Sequence, residues 1–400
     1  MTIDSIRVPP RSASTAAGQD LLLLACAAFA SAMSLRLCDS MLPALAREFQ
    51  LSLGHAALVV TAAGVAYGCC QLLFGPLGDR YGKFRVLTWA CLASTVGAGA
   101  SAWSSGFQGL TLARACTGAT TAALIPLSMA WIGDNVPLEQ RQATLARFLS
   151  GQVIGLLSGQ AAGGFFADHF GWRWGFVLLA TIYLAVGVML LHAMQRRPHL
   201  AQGGTSGQGG RMRSVIASRP ARFVLVAVYC EALAAFGALA FAPSWLHQRF
   251  GLSLFHAGLA VATFGLGGLS YTLLARHWVA RLGPRRLAAS GGCLLGLAFA
   301  GLVLAPAWPI GMLACSLAGL GFYQLHNTLQ TLATQMVPAA RGTAVSLFAS
   351  CFFLGQASGA AISGTLVDRL GAATLFGCAA LLLPLVGAMV ARHLRVGTAR

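Results

Sequence analysis

Four ionisable side chains stand inside apolar stretches of this sequence: Arg36, Asp39, Arg114 and Glu231. A charge at the centre of a membrane helix costs about 2.5–3.5 kcal/mol on insertion scales, so each of these must face a partner or water. The chemistry open to them is proton exchange. Burial favours a neutral carboxyl and a neighbouring guanidinium favours the carboxylate, so moving the arginine binds or releases a proton. Arg36 and Asp39 are spaced i, i+3 and share one helical face. Two readings stand for them. One is a local ion pair that only neutralises two charges; the other is a proton and ligand site in a central cavity that Glu231 also enters. The other acidic residues (Asp4, Asp20, Glu48, Asp79, Asp134, Glu139, Asp168 and Asp368) fall in tails, loops or helix ends.

Tyr323, Asn327 and Gln330 fall on one helical face, as a row of hydrogen-bonding groups for a polar ligand or equally for a neighbouring helix. Phe236 and the many small residues suit an apolar ligand. The candidate substrate-binding set is therefore Arg36, Asp39, Glu231, Phe236, Tyr323, Asn327 and Gln330. His326 could titrate near neutrality, but a lone histidine reads first as structural. Gln160 and Gln356 follow glycines at corresponding sites and read as packing residues. The eleven cysteines are scattered through apolar runs and read as reduced packing residues rather than a disulfide or metal framework. No phosphate-loop, Gly-x-Ser-x-Gly or His-Glu-x-x-His pattern occurs, so neither an enzyme nor an ATP-driven machine is indicated, and no cofactor or metal is expected.

The elements that must position these side chains are membrane helices. The chain is 57% hydrophobic and 9% charged, where about a quarter charged is usual for a soluble domain. Runs of about 20 apolar residues, enough to cross a hydrocarbon core of roughly 30 Å, recur along its length. Twelve are predicted, at 20–44, 56–77, 85–103, 108–132, 142–166, 174–194, 222–246, 257–279, 286–305, 309–335, 343–366 and 373–392. The net charge of +17 does not point to nucleic acid, because its basic residues alternate in side. They cluster at 7 and 11, 80–85, 141 and 147, 196–222, 276–286, 341 and 392–400, whereas the other side holds only Arg47, Arg173, Arg249 and Arg369. That bias predicts both termini on the cytoplasmic side of a bacterial inner membrane. The first apolar run is too long for a signal-peptide core and has no clear cleavage site, so it is expected to remain as a helix.

The expected organisation is a cytoplasmic tail (1–19), a six-helix bundle (20–194), a Gly/Ser-rich cytoplasmic linker (195–221) held near the membrane by flanking arginines, a second bundle (222–392) and a short tail (393–400). The two bundles echo each other. Ala280-Arg281-Leu282-Gly283-Pro284-Arg285-Arg286 lies 201 positions after Asp79-Arg80-Tyr81-Gly82-Lys83-Phe84-Arg85. Phe49 to Leu58 matches Phe250 to Leu259 at the same offset, and Val136-Pro137 matches Val337-Pro338. Parallel six-helix repeats of this kind describe one large class of secondary transporters.

Over essentially its full length the chain resembles the major facilitator superfamily. Gly75 to Arg85 is similar to the family's signature loop between helices 2 and 3, with Asp79, Arg80, Gly82 and Lys83 on its positions. Leu112 to Gly118 resembles the helix-4 pattern, whose arginine, here Arg114, is linked to proton coupling. Gly155 to Gly164 resembles the helix-5 pattern of drug:proton antiporters, with Gln160 where that pattern has proline; Gly155, Gly159, Gly163 and Gly164 permit close helix packing. The nearest branch is the twelve-helix efflux group of sugar-efflux and multidrug proteins.

The resemblance implies an all-α integral membrane fold of two pseudo-symmetric six-helix bundles, with helices 1, 4, 7 and 10 lining a central cavity. It links Arg114 to proton coupling, beside Asp39 and Glu231 as read from their place inside the spans, although Arg114 also reads as an anion ligand or a backbone tether. It implies a latch at Gly75, Asp79, Arg80, Gly82 and Lys83 that shuts the cytoplasmic side. Ala280 holds no carboxylate, so the latch is expected in one half only. The function implied is proton-antiport export of a small organic molecule by alternating access, from a monomer in the lipid bilayer. Proton-coupled uptake, and a membrane sensor that keeps the fold without transport, are the other readings.

Overall fold

The computed structural model describes residues 11–196, 209–337 and 340–397. Among the described residues the chain is helical and has no strand. The first half comprises α1 (Arg11–Arg36), α2 (Leu42–Glu48), α3 (Leu53–Ala56), α4 (Leu58–Tyr81), α5 (Lys83–Ala102), α6 (Phe107–Thr121), α7 (Leu124–Asn135), α8 (Leu138–His169) and α9 (Trp172–Arg196). The second comprises α10 (Gly209–Ala217), α11 (Arg219–Leu239), α12 (Ala242–Phe250), α13 (Leu254–Leu304), α14 (Trp308–Gln335), α15 (Arg341–Leu370) and α16 (Ala372–Gly397).

Among the described residues, eight helical stretches are long and apolar enough to cross a membrane. One of them, α13, turns at Gly283 and supplies two passes. Helices α5, α8 and α14, with 20, 32 and 28 residues, also reach the roughly 30 Å of a hydrocarbon core at about 1.5 Å per residue. The arrangement accommodates the twelve passes that the hydropathy pattern calls for.

The helices depart from the sequence reading in informative places. Span 1 is not one helix over 20–44: α1 already begins at Arg11, and a turn with a 3-10 segment at Asp39–Met41 separates it from α2. Spans 4 and 7 break in the same way, between α6 and α7 and between α11 and α12. A proline follows each break: Pro43, Pro126 and Pro243. Proline donates no backbone hydrogen bond and its ring clashes with the carbonyl four residues back, here that of Asp39, Ala122 or Leu239. Within the expected linker, residues 197–208 lie outside the described set, whereas Gly209–Ala217 is helical. The C-terminal helix runs on to Gly397.

The two halves repeat one another in backbone as well as sequence. Gly82 and Gly283, 201 positions apart, both hold positive φ, 94° and 67°, a region costly for any residue with a Cβ. Ser52 Oγ accepts the His55 N–H at 3.1 Å, and Ser253 Oγ accepts the His256 N–H at 3.2 Å, capping the two equivalent helices.

Glycine sets the distance between α1 and α8. A Cβ on Gly155, Gly159 or Gly163 would stand 2.3, 2.5 or 2.1 Å from the carbonyl oxygen of Phe29, Met33 or Leu37. Gly355 and Gly359 of α15 lie equally close to Tyr229 and Leu233 of α11. Without a hydrophobic force between helices in lipid, such close backbone approach is what holds them together. The halves meet along α4 with α15 and α8 with α13. These contacts run from Gly54 against Gly364 and Gly164 against Leu254, at the end away from the arginine-rich loops, to Gly68 and Gly265 near mid-helix.

Candidate functional site

The break in span 1 puts the Arg36–Asp39 pair at the interface of the halves. Arg36 Nη1 donates to Asp39 Oδ2 at 3.2 Å, with side chains 7% and 0% exposed. Gln160 of α8 donates to the same oxygen at 3.2 Å. Ser40 holds the amide in turn, donating to both the Gln160 carbonyl and its side-chain oxygen. The other carboxylate oxygen of Asp39, Oδ1, is buried without a partner.

Across the interface, α11 places Phe236 under the guanidinium, with Arg36 Cζ 4.4 Å from the ring centroid. Phe236 meets Phe264, Phe322 and Phe352 edge-on, at 5.8, 4.9 and 5.4 Å. Such edge-to-face contacts suit the ring quadrupoles. Phe322 and Phe352 then flank His326, with centroids at 4.8 and 4.9 Å. His326 Nδ1 lies 2.8 Å from Glu231 Oε2, and Glu231 is fully buried with Oε1 unpartnered. A continuous contact path therefore runs Asp39–Arg36–Phe236–Phe322–His326–Glu231. Each end carries one buried carboxylate and one basic partner.

Arg114 lies apart from this path. Its guanidinium donates to Ser34 Oγ at 3.1 Å and to the Ser34 carbonyl at 2.9 Å, over the Phe176 ring at 5.7 Å. That geometry ties α6 to α1, while Asp39 stays within its electrostatic reach. On α14, Tyr323 packs beside Gly268, Asn327 donates to the Tyr271 hydroxyl at 3.3 Å, and Gln330 is exposed. Tyr323 and Asn327 thus look toward α13, and His326 turns from them toward Glu231.

At the signature-like loop, Lys83 lies 3.6 Å from Asp79 and also pairs with Asp134 at the end of α7. Gly78 of the same loop packs against Leu127. At the opposite end of the molecule, Asp168 of α8 accepts the Leu254 and Phe255 N–H groups at 3.2 and 2.7 Å, capping α13. Asp368 of α15 repeats this on α3, accepting the Gly54 N–H at 2.8 Å and the Ser52 hydroxyl at 2.6 Å.

The family model of the Major Facilitator Superfamily matches residues 24–360. The chain belongs to this superfamily. It is 27% identical over 176 residues to the multidrug export protein EmrB of Escherichia coli (strain K12), which is 44% of this chain and 34% of EmrB. The chain thus spans about a third of that relative. The Uncharacterized MFS-type transporter YwfA of Bacillus subtilis (strain 168) is 25% identical over 369 residues, 90% of this chain and 88% of YwfA. Among solved structures, a peptide transporter POT in complex with sulfate superimposes with a TM-score of 0.75 at 17% identity, covering 93% of each chain. A mutant of peptide transporter POT gives 0.77 at 16% identity, covering 98% of this chain and 99% of the other. The fold is accordingly the major facilitator fold, and the protein is a multi-pass membrane protein of that superfamily.

Two features of this facilitator's site went unread in the sequence. Gln160, read as packing, also bonds Asp39, and His326, read as structural, partners Glu231. The polarity of Gln160 at a position where the resembled pattern has proline was a usable signal. For His326 the signal was weaker: it stands 95 residues from Glu231, and no local spacing links them.

Proposed function

We propose that this facilitator exports a small organic molecule by alternating access, exchanging it for protons at Asp39 and Glu231. The observation that carries the reading is the pair of fully buried carboxylates on opposite sides of the half-to-half contact, each with one basic partner and one vacant oxygen. A buried charge held this way is costly for a passive scaffold, and an intramembrane ionisable residue is a functional hypothesis by default. Arg36 is shared between Asp39 in its own half and Phe236 in the other. Separating the halves at this level therefore strips the guanidinium of its aromatic partner and frees it to move relative to Asp39.

In this reading Arg114 anchors α1 and biases Asp39 through space, and Phe236 with Tyr323 walls the ligand space beside Arg36. Asn327 and Gln330 extend that space along α14. Gly75, Asp79, Arg80, Gly82 and Lys83 form the latch that shuts the arginine-rich end, taken as cytoplasmic from the distribution of basic residues in a bacterial inner membrane. The described conformation has its halves joined at the other end, where Gly54 meets Gly364. The partial likeness to EmrB, named as a multidrug export protein, favours export over uptake.

The test has two steps. A thermal-shift screen of purified protein against metabolites and antibiotics finds a ligand. Counterflow of that labelled ligand in proteoliposomes, with pH gradients of either sign, then reads direction and coupling. Export coupling requires that an inward proton gradient drive the ligand against its own gradient; indifference to the gradient rejects proton exchange.

A further inference from the structure

His326 is the exposed end of a pair whose other end is sealed. Its side chain retains 18% exposure, whereas that of Glu231 retains none. The two meet at 2.8 Å through Nδ1 and Oε2. Phe322 lies nearly parallel to the imidazole, at 21°, and Phe352 and Phe348 close round it at 4.9 and 5.5 Å. Aromatic faces favour a cation over their rings, so this niche suits an imidazolium as well as a neutral imidazole. Glu231 is on α11 and His326 on α14. Arg36 and Asp39 stand beyond Phe236, on the other side of the aromatic cluster.

We propose that His326 is the proton-transfer residue of Glu231, carrying protons between cavity water and the sealed carboxyl. The proposal rests on Glu231 being a proton site, as argued above. The step balances without any co-reactant. The neutral imidazole, donating Nδ1–H to the Glu231 carboxylate, takes a proton at Nε2 from hydronium in the surrounding water, leaving a water molecule, and becomes imidazolium. The Nδ1–H bond then breaks as an O–H bond forms at Oε2, leaving a neutral imidazole and a neutral carboxylic acid. Return of the proton reverses both bonds. The geometry supplies what such transfer needs: heavy atoms within hydrogen-bond reach, and a partly exposed side chain against a sealed one.

The test is time-resolved infrared spectroscopy of full-length protein in lipid after a rapid pH drop, reading the carboxylic-acid C=O band that Glu231→Gln removes. His326→Gln and His326→Asn are both made, so that one folded variant suffices, with monodisperse elution as the criterion. General acid–base transfer contributes about 10²–10⁴-fold to rates, so the band in either variant should rise on the order of 10²-fold more slowly than in wild type. Added imidazole, the probe for the missing ring, should restore much of the rate. Wild-type kinetics in a folded His326 variant overturns the proposal, and so does slowing that imidazole cannot rescue, because a structural role predicts that outcome. If wild type shows no band that Glu231→Gln removes, the failure lies with Glu231 as a proton site instead.

Discussion

Arg36 and Phe236 occupy corresponding turns of spans 1 and 7, each seven residues before the proline that breaks its span, and they stack on one another at 4.4 Å. One half supplies the cation and the other half the ring. The contact therefore reports whether the halves are joined at this level.

Replacing the ring tests how much the stack contributes. Phe236→Leu keeps most of the apolar volume but removes the π-face, and a desolvated cation–π contact is worth about 0.5–2 kcal/mol. A lowered thermal midpoint with unchanged helix content is the expected result by circular dichroism in detergent. An unchanged midpoint means the stack contributes nothing measurable.

Removing Arg36 should cost more than removing Asp39's charge. Arg36→Gln leaves a carboxylate fully buried with only Gln160 to serve it, and breaking a buried pair from one side costs about 3–5 kcal/mol. Adding Asp39→Asn should recover part of that loss, since the stranded charge is gone. Thermal melts of the two single variants and the double variant check the cycle; additive losses would show that the residues do not act as a pair.

The glycine face of α8 should tolerate no side chain. Gly159→Val and Gly163→Val place carbon 2.5 and 2.1 Å from the backbone oxygens of Met33 and Leu37, where nothing flexible can yield. Overpacking typically costs about 1–3 kcal/mol, occasionally more. Gly377→Ala meets nothing within 4 Å and serves as the control. Size-exclusion yields should fall for the valine variants and hold for the alanine one.

The twin caps at Asp168 and Asp368 should each stabilise the junction of the halves. Losing a carboxylate N-cap costs about 0.5–2 kcal/mol, and the two caps join different helix pairs, so Asp168→Ala and Asp368→Ala should destabilise additively in thermal unfolding. A double variant no weaker than either single one contradicts independent caps.

The fold was legible because lipid enforces a simple code. Apolar length marked the long helices, and Gly82 with Gly283 marked the duplication that their shared positive φ now expresses. The breaks in spans 1, 4 and 7 were missed although Pro43, Pro126 and Pro243 announced them, because their hydropathy is uninterrupted. Within the site, Arg36 and Asp39 were readable as neighbours on one turn. The Glu231–His326 and Asp39–Gln160 bonds were not, since each joins different helices and depends on how bundles pack. Arg114 shows the converse: its burial was readable, but its grip on Ser34 depended on which face of α1 turned inward.

The central claim is that Asp39 and Glu231 exchange protons for substrate. The most direct measurement is proton release from purified protein in weakly buffered detergent when the ligand found by thermal shift is added, in wild type, Asp39→Asn and Glu231→Gln. The account predicts release in wild type and a smaller release, or none, in each folded variant that still binds the ligand. Equal proton release from all three proteins would contradict it.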